Sequence, residues 1–92
     1  MKVTVLIPTP FRHLTSGLDA VEVSGGSVNL AIKELDHRHP GIRASLCDDC
    51  GELRAYVNLF VNDEDIRYLS GLETPINDGD ILAIVPAVAG GA

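Results

Sequence analysis

The chain has 92 residues, of which 46% are hydrophobic and 22% charged, the composition of one globular domain with a single core. Seven basic and 13 acidic residues give a formal net charge of −6, which argues against nucleic acids as partners and favours a basic protein partner. No signal peptide begins the sequence and no apolar stretch reaches transmembrane length, so we expect a cytoplasmic protein that contacts no membrane.

The first third of the chain is predicted to form a β-hairpin. Residues 3–7 alternate with a period of two, which predicts a strand that Pro8 ends and that carries Leu6 on its outer face. Residues 9–18 show no period and predict a loop. The side chains expected to hold this loop to the core are Phe11 or Leu14. Residues 21–23 form the second short strand of the hairpin.

One amphipathic helix is predicted next. Ser27 is a suitable N-cap, and Pro40-Gly41 marks the helix end because proline disfavours a helical backbone in the residue before it. The apolar side chains recur at helical spacing on one face. They are Val28, Ala31, Ile32, Leu35 and His39. We expect Ile42 to return to the core.

Cys47 and Cys50 have the spacing of half a zinc site or of a redox pair. A structural zinc needs four ligands, and the three histidines do not supply a second ligand pair. Asp48 and Asp49 disfavour the thiolate, which is the reactive form of cysteine. We therefore predict no metal site and no redox role, and we place both thiols in a variable loop.

The second half of the chain is predicted to add strands to the sheet. Residues 56–62 alternate, which directs Phe60 outward, and their inward side chains are Val57, Leu59 and Val61. The acidic segment 62–65 lacks the glycine and distant glutamate of a calcium loop and predicts a solvated turn. Residues 77–80 predict another turn, followed by a strand over residues 81–85 with Leu82 and Ile84 inward.

The C-terminal residues carry no charge and few large side chains. Pro86 donates no backbone N–H, so we predict a folded domain of residues 1–86 and a flexible tail of residues 87–92. Gly90 and Gly91 lack a Cβ, which lets the backbone enter a narrow channel and leaves the Gly91 carbonyl open to attack. An extended tail reaches roughly 20 Å, enough to enter the active site of another protein.

The order of these elements predicts an α+β fold of the β-grasp (ubiquitin-like) type, a mixed sheet packed on one main helix. The sequence resembles the ubiquitin-like sulfur carriers of the ThiS/MoaD family nearly end to end. The segments that carry the resemblance are FVNDEDIR (60–67), NDGD (77–80) and IVPAVAGG (84–91). The opening VTVLIP (3–8) and the ending PAVAGG (86–91) resemble most the branch that serves cysteine biosynthesis.

This resemblance implies a carrier and not an enzyme. An E1-like activating enzyme would adenylate the Gly91 carboxylate with ATP, a sulfur donor would convert it to a thiocarboxylate, and the chain itself would bind no cofactor. The residues that partners would recognise in the tail are Val88, Ala89, Gly90 and Gly91. Ala92 departs from the family pattern because it blocks the Gly91 carboxylate. In the branch that the chain resembles, a zinc-dependent JAMM-type peptidase removes such extra residues.

The resemblance also implies a synthase that accepts the sulfur, either cysteine-synthase-like or another. The acceptors that remain open are cysteine, thiamine, molybdopterin, a thiolated tRNA and a natural product. An alternative function is that of a ubiquitin-like modifier joined to protein lysines through Gly91, since the same activation would serve it. We expect the free protein to be a monomer.

Alternation leaves a set of apolar side chains on the outer face of the sheet, where a monomer rarely exposes them together. They are Leu6, Phe60, Ile81, Ala83 and Val85. We predict that this surface docks the activating enzyme, with Phe60 as its anchor, because aromatic side chains dominate binding energies.

Overall fold

In the computed structural model, which describes residues 2–86, five strands form one sheet and the helices cover one of its faces. The strands are β1 (Val3–Leu6), β2 (Ala20–Val23), β3 (Val57–Val61), β4 (Glu64–Asp65) and β5 (Ile81–Pro86). The α-helices of this part of the chain are α1 (Val28–Arg38) and α2 (Ile42–Leu46). Short 3₁₀ helices span Thr9–Leu14, Ile66–Tyr68 and Gly71–Glu73.

The sheet has the order β2-β1-β5-β3-β4. Its central pair, β1 and β5, is parallel, with Val5 opposite Leu82, and the other neighbours are antiparallel. A parallel pair needs a crossover connection, and here the chain between β1 and β5 includes α1, which packs over the sheet. This is the mixed sheet on one main helix that the sequence predicts.

Helix α1 begins and buries its apolar face as predicted. The Ser27 hydroxyl oxygen accepts a hydrogen bond from the Leu30 backbone N–H at 3.2 Å. Four of the predicted apolar side chains are at most 1% exposed: Val28, Ala31, Ile32 and Leu35. His39 is the exception, because the helix ends at Arg38 and His39 is a half-buried C-cap.

The segment after α1 is more ordered than predicted. Gly41 has φ 105°, a left-handed conformation that favours glycine, and it reverses the chain into α2. One Asp36 carboxylate oxygen accepts hydrogen bonds from the Gly41 and Arg43 N–H groups, at 3.1 Å each. Ile42 returns to the core as predicted, and Leu46 is also fully buried. The prediction of a variable loop is therefore wrong at the start of this segment, where α2 packs its apolar side chains into the core.

The segment between β1 and β2 is also more regular than the predicted loop. It contains the 3₁₀ helix Thr9–Leu14, and both Phe11 and Leu14 pack half-buried against the core as expected. The buried Thr15 hydroxyl donates to the Leu18 carbonyl oxygen at 2.9 Å. These bonds fix the chain reversal that leads into β2.

Two turns at one end of the sheet are joined by hydrogen bonds. Asn62 and Asp63 have φ 49° and 73°, the geometry of a tight hairpin turn between β3 and β4. The Asn62 amide nitrogen donates to an Asp80 carboxylate oxygen at 2.9 Å, and its amide oxygen accepts from the Ile81 N–H at 3.0 Å. The predicted acidic turn therefore aligns the start of β5 with the end of β3.

Candidate functional site

The face of the sheet opposite the helices carries the predicted apolar side chains. Register places Ala83 between Leu6 on β1 and Phe60 on β3, so these three form one row across the central strands. Ile81 precedes this row along β5 and Val85 follows it. The structure thus brings together the five side chains that alternation directs outward, and we call them the open-face patch.

Exposure within the open-face patch is uneven. Leu6, Ile81 and Val85 are 41%, 43% and 42% exposed, whereas Phe60 and Ala83 are half-buried. Phe60 points outward as predicted, but Ala83 and Asp65 stand directly opposite it on the neighbouring strands. Residues opposite each other lie close enough for side chains to touch, which shields part of the ring.

A cleft of about 410 Å³ adjoins the open-face patch where β1 and β5 end. Its lining includes Leu6, Pro8, Arg12, Asp19 and Val85. It lies at the end of the strand that leads into the tail. Sequence reasoning missed this cleft because its lining joins segments that are distant along the chain.

Two arginines stand on either side of this end of β5, and we call them the arginine pair. Arg12 donates from Nε to the Ile7 carbonyl oxygen at 3.0 Å. Arg67 donates from Nη2 to the Val57 carbonyl oxygen at 2.9 Å and from Nη1 to the side-chain oxygen of Asn58. Asn58 lies opposite Val85 in the sheet. The pair flanks the last residues before the tail, and no local sequence pattern indicates it.

The base of the tail is part of the sheet. Strand β5 extends one residue beyond the predicted range, to Pro86, which lies opposite Val57. Five further predicted site residues lie outside the described residues. They are Val88, Ala89, Gly90, Gly91 and Ala92.

The two cysteines differ in their surroundings. Cys47 is 4% exposed and belongs to the core, whereas Cys50 is exposed, and both are free thiols. Burial raises the pKa of the Cys47 thiol, an effect that the nearby Arg43 partly opposes. Within residues 2–86, no three His, Cys, Asp or Glu side chains form a cluster that could hold a metal ion.

The carboxylates whose pKa is clearly shifted have structural roles. Hydrogen bonds from the Asn77 backbone N–H and then from the Asn62 amide lower the pKa of Asp80. Glu34 has a lowered pKa because Ser24 donates to it from its backbone N–H and its hydroxyl, at 2.9 Å each. These hydrogen bonds to charged oxygens stabilise the turn before β5 and the link between α1 and the end of β2.

Across residues 2–86, no helix is long and apolar enough to cross a membrane.

Comparisons with known proteins agree with this geometry. The model of the ThiS family matches residues 5–91. The sulfur carrier protein CysO of Mycobacterium tuberculosis is 46% identical over 93 aligned residues, which cover 99% of this chain and 100% of that protein. The small archaeal modifier protein 3 of Haloferax volcanii is 32% identical over 71% of this chain and 70% of its own length.

A solved structure supports the same assignment. A chain in the crystal structure of the BexX/CysO complex of Amycolatopsis orientalis superposes with a TM-score of 0.92 at 47% identity, covering 97% of this chain and 99% of that chain. The β-grasp prediction is confirmed by this match. The diglycine ending and the turn segments are the parts of the sequence that resemble this family. The chain therefore belongs to the ThiS family.

Proposed function

We propose that this protein is a sulfur carrier that bears sulfur as a thiocarboxylate on Gly91. The observation that carries the proposal is the family match, which extends through the diglycine to residue 91. The relatives named CysO are sulfur carriers over the same full length. Their identity to this chain favours the branch that the sequence resembles, which serves cysteine biosynthesis.

The chemistry needs a free carboxylate at Gly91. This carboxylate attacks the α-phosphate of ATP in the activating enzyme, pyrophosphate leaves, and an acyl-adenylate forms. A donor at the oxidation level of sulfide then attacks the carbonyl carbon, AMP leaves, and the terminal C–O bond is replaced by C–S. The absence of a Cβ at Gly91 keeps the carbonyl accessible to the donor.

Five residues of the sequence separate Pro86, the last described residue, from the reacting group on Gly91 (residues 87–91). The tail begins after Pro86, the last residue of β5, which pairs with β1 over residues 81–83 and with β3 over residues 82–86. Six extended residues span roughly 20 Å, so the terminus reaches an active site while the folded domain stays outside it. The activating enzyme supplies ATP and the catalytic groups, and this chain supplies the substrate carboxylate.

Removal of Ala92 precedes activation in this proposal. An amide bond to Ala92 leaves Gly91 with no carboxylate, so Ala92 and anything beyond it must be cleaved off. A JAMM-type zinc peptidase is the class of enzyme that we assign to this step. Its zinc belongs to the peptidase and not to this chain.

The open-face patch is the surface that we assign to docking the activating enzyme. It presents Leu6, Ile81 and Val85 to solvent at more than 40% each, on the same strands that lead to the tail. We assign Phe60 as its anchor, because aromatic side chains are among those that contribute most to binding energy at interfaces. A sulfur-accepting synthase is the second partner, and the solved BexX/CysO complex shows that a CysO relative binds another protein.

The experiment uses the chain truncated after Gly91, with purified activating enzyme, ATP and a sulfide source. Intact mass should rise by roughly 16 Da, the difference between sulfur and oxygen, only when ATP is present. A chain truncated after Gly90 is the matched control. The activating enzyme is first shown to be active on a known carrier. If the Gly91 chain then gains no mass, sulfur carriage is refuted.

A second candidate function is that of a modifier joined to lysines of other proteins. The small archaeal modifier protein 3 is the relative that favours it. The two functions share the adenylate, so they separate at the next step. Sulfur carriage gives a single product that alkylating reagents trap at the thiocarboxylate, whereas conjugation gives larger species with this chain on lysine side chains.

A further inference from the structure

The arginine pair has donors that the fold does not use. An arginine has five N–H donors, and Arg12 uses only Nε on a carbonyl oxygen, while Arg67 uses one bond from each terminal nitrogen. Within residues 2–86 the ion pair within 4.0 Å is that of Arg38 with Glu34, so neither member of the pair is neutralised by a described carboxylate. Their charge remains available to a partner.

The two side chains are held in place. Each donates to a backbone carbonyl oxygen. Arg12 donates to Ile7, the residue after β1, and Arg67 donates to Val57, the first residue of β3. These bonds hold the two guanidinium groups on either side of β5, the strand that carries Val85. Two strand spacings, about 10 Å, separate β1 from β3. A partner that binds this end of β5 would therefore meet one cation on each side of the strand.

Acidic side chains occur at both ends of the sheet. The end where β5 begins carries Asp63, Asp78 and Asp80, in the turns that precede β4 and β5. At the opposite end, Asp19 shares the cleft with Arg12 and Glu52 lines a cavity with Arg67, but neither carboxylate forms an ion pair with these arginines within 4.0 Å. The arginine pair thus offers two cations without an ion-pair partner within 4.0 Å, at the tail end of a protein whose net charge is −6.

We propose that the arginine pair binds carboxylates on the adenylating enzyme, one on each side of the mouth of the channel that takes the tail. The proposal rests on the proposed function and adds the chemistry by which the enzyme recognises this carrier. Apolar contact with the open-face patch supplies part of the affinity, and charge-assisted hydrogen bonds to the arginine pair supply the rest. A carrier without these cations would bind the enzyme more weakly, which raises KM.

The test measures adenylation of the Gly91-terminated chain by its cognate activating enzyme at low and high ionic strength, about 0.05 and 0.5 M NaCl. The variants are Arg12→Gln and Arg67→Gln, with Lys33→Gln as a control that removes the same charge from the exposed side of α1. We expect KM to rise about fivefold to tenfold for each arginine variant at low salt, with kcat nearly unchanged. Lys33→Gln should change KM less than about twofold.

Two further measurements separate recognition from a structural role. Arg12→Lys keeps the charge and should recover most of the KM, and the difference between Arg12→Gln and the parent should shrink at high salt. Arginine variants that match Lys33→Gln in KM, or an effect independent of salt, would overturn this inference while leaving sulfur carriage intact. A parent chain that is not adenylated at all would instead refute the proposed function, and this inference with it.

Discussion

Phe60→Ser separates docking from folding. Phe60 is half-buried on the open face, with the small Ala83 and the polar Asp65 opposite it, so its truncation should cost about 1–2 kcal/mol of unfolding free energy. Its neighbour Leu59 is 0% exposed on the core side of the same strand, and Leu59→Ala should cost about 2–5 kcal/mol. Two adjacent positions thus probe two faces of one sheet.

For adenylation the order should be reversed, with Phe60→Ser having the larger effect on KM and Leu59→Ala the smaller. Loss of a buried aromatic anchor at an interface costs about 2 kcal/mol or more, which raises KM for adenylation about thirtyfold. Leu59→Ala should leave KM within about twofold of the parent value while the protein remains folded, because Leu59 contacts the core and not the enzyme.

The assay combines urea unfolding with pyrophosphate release by the activating enzyme on the Gly91-terminated chain. A domain with an unfolding free energy of about 5 kcal/mol stays more than about 99% folded after losing 2 kcal/mol, so unfolding cannot mimic a thirtyfold change. An unchanged KM for Phe60→Ser would remove the open-face patch from the mechanism. A stability loss equal to that of Leu59→Ala would show that Phe60 serves the fold instead.

Two other predictions concern single side chains. Cys50 should react with a thiol reagent at the rate of a free exposed cysteine and Cys47 only on unfolding, because Cys47 is buried with a raised pKa; equal rates would show that the core opens there. The folded-state pKa of Asp80 is lowered, so its stabilising effect is present above the unfolded pKa of about 3.9 and is lost as pH falls through the folded value. Asp80→Asn should therefore flatten the acid limb of stability against pH.

Patterns of neighbouring residues predict the strand faces and the start of α1. Alternation places Leu59 inward and Phe60 outward, and the hydroxyl of Ser27 caps α1 as its position before an apolar period suggests. Helix α2 escapes prediction because it is five residues long, too short to show a helical period. It forms because tertiary burial of Ile42 and Leu46 favours it.

The candidate site likewise contains residues that the sequence predicts and residues that only the folded structure brings together. The diglycine and the apolar side chains of the open-face patch are visible in the sequence, since each depends on residue type or on the period of a strand. The arginine pair is not visible, because Arg12 and Arg67 become neighbours of one strand end only through the order β1-β5-β3. The partial burial of Phe60 has the same origin, since it depends on which residues the register places beside it.

In the proposed function, sulfur is carried on the Gly91 carboxylate after Ala92 is removed. The most direct measurement incubates the 92-residue chain and the chain truncated after Gly91, side by side, with activating enzyme, ATP and sulfide, and follows intact mass over time. We predict thiocarboxylate on the truncated chain alone, and on the longer chain only after a JAMM-type peptidase has been added. Thiocarboxylate on the 92-residue chain at the rate of the truncated one would contradict the account.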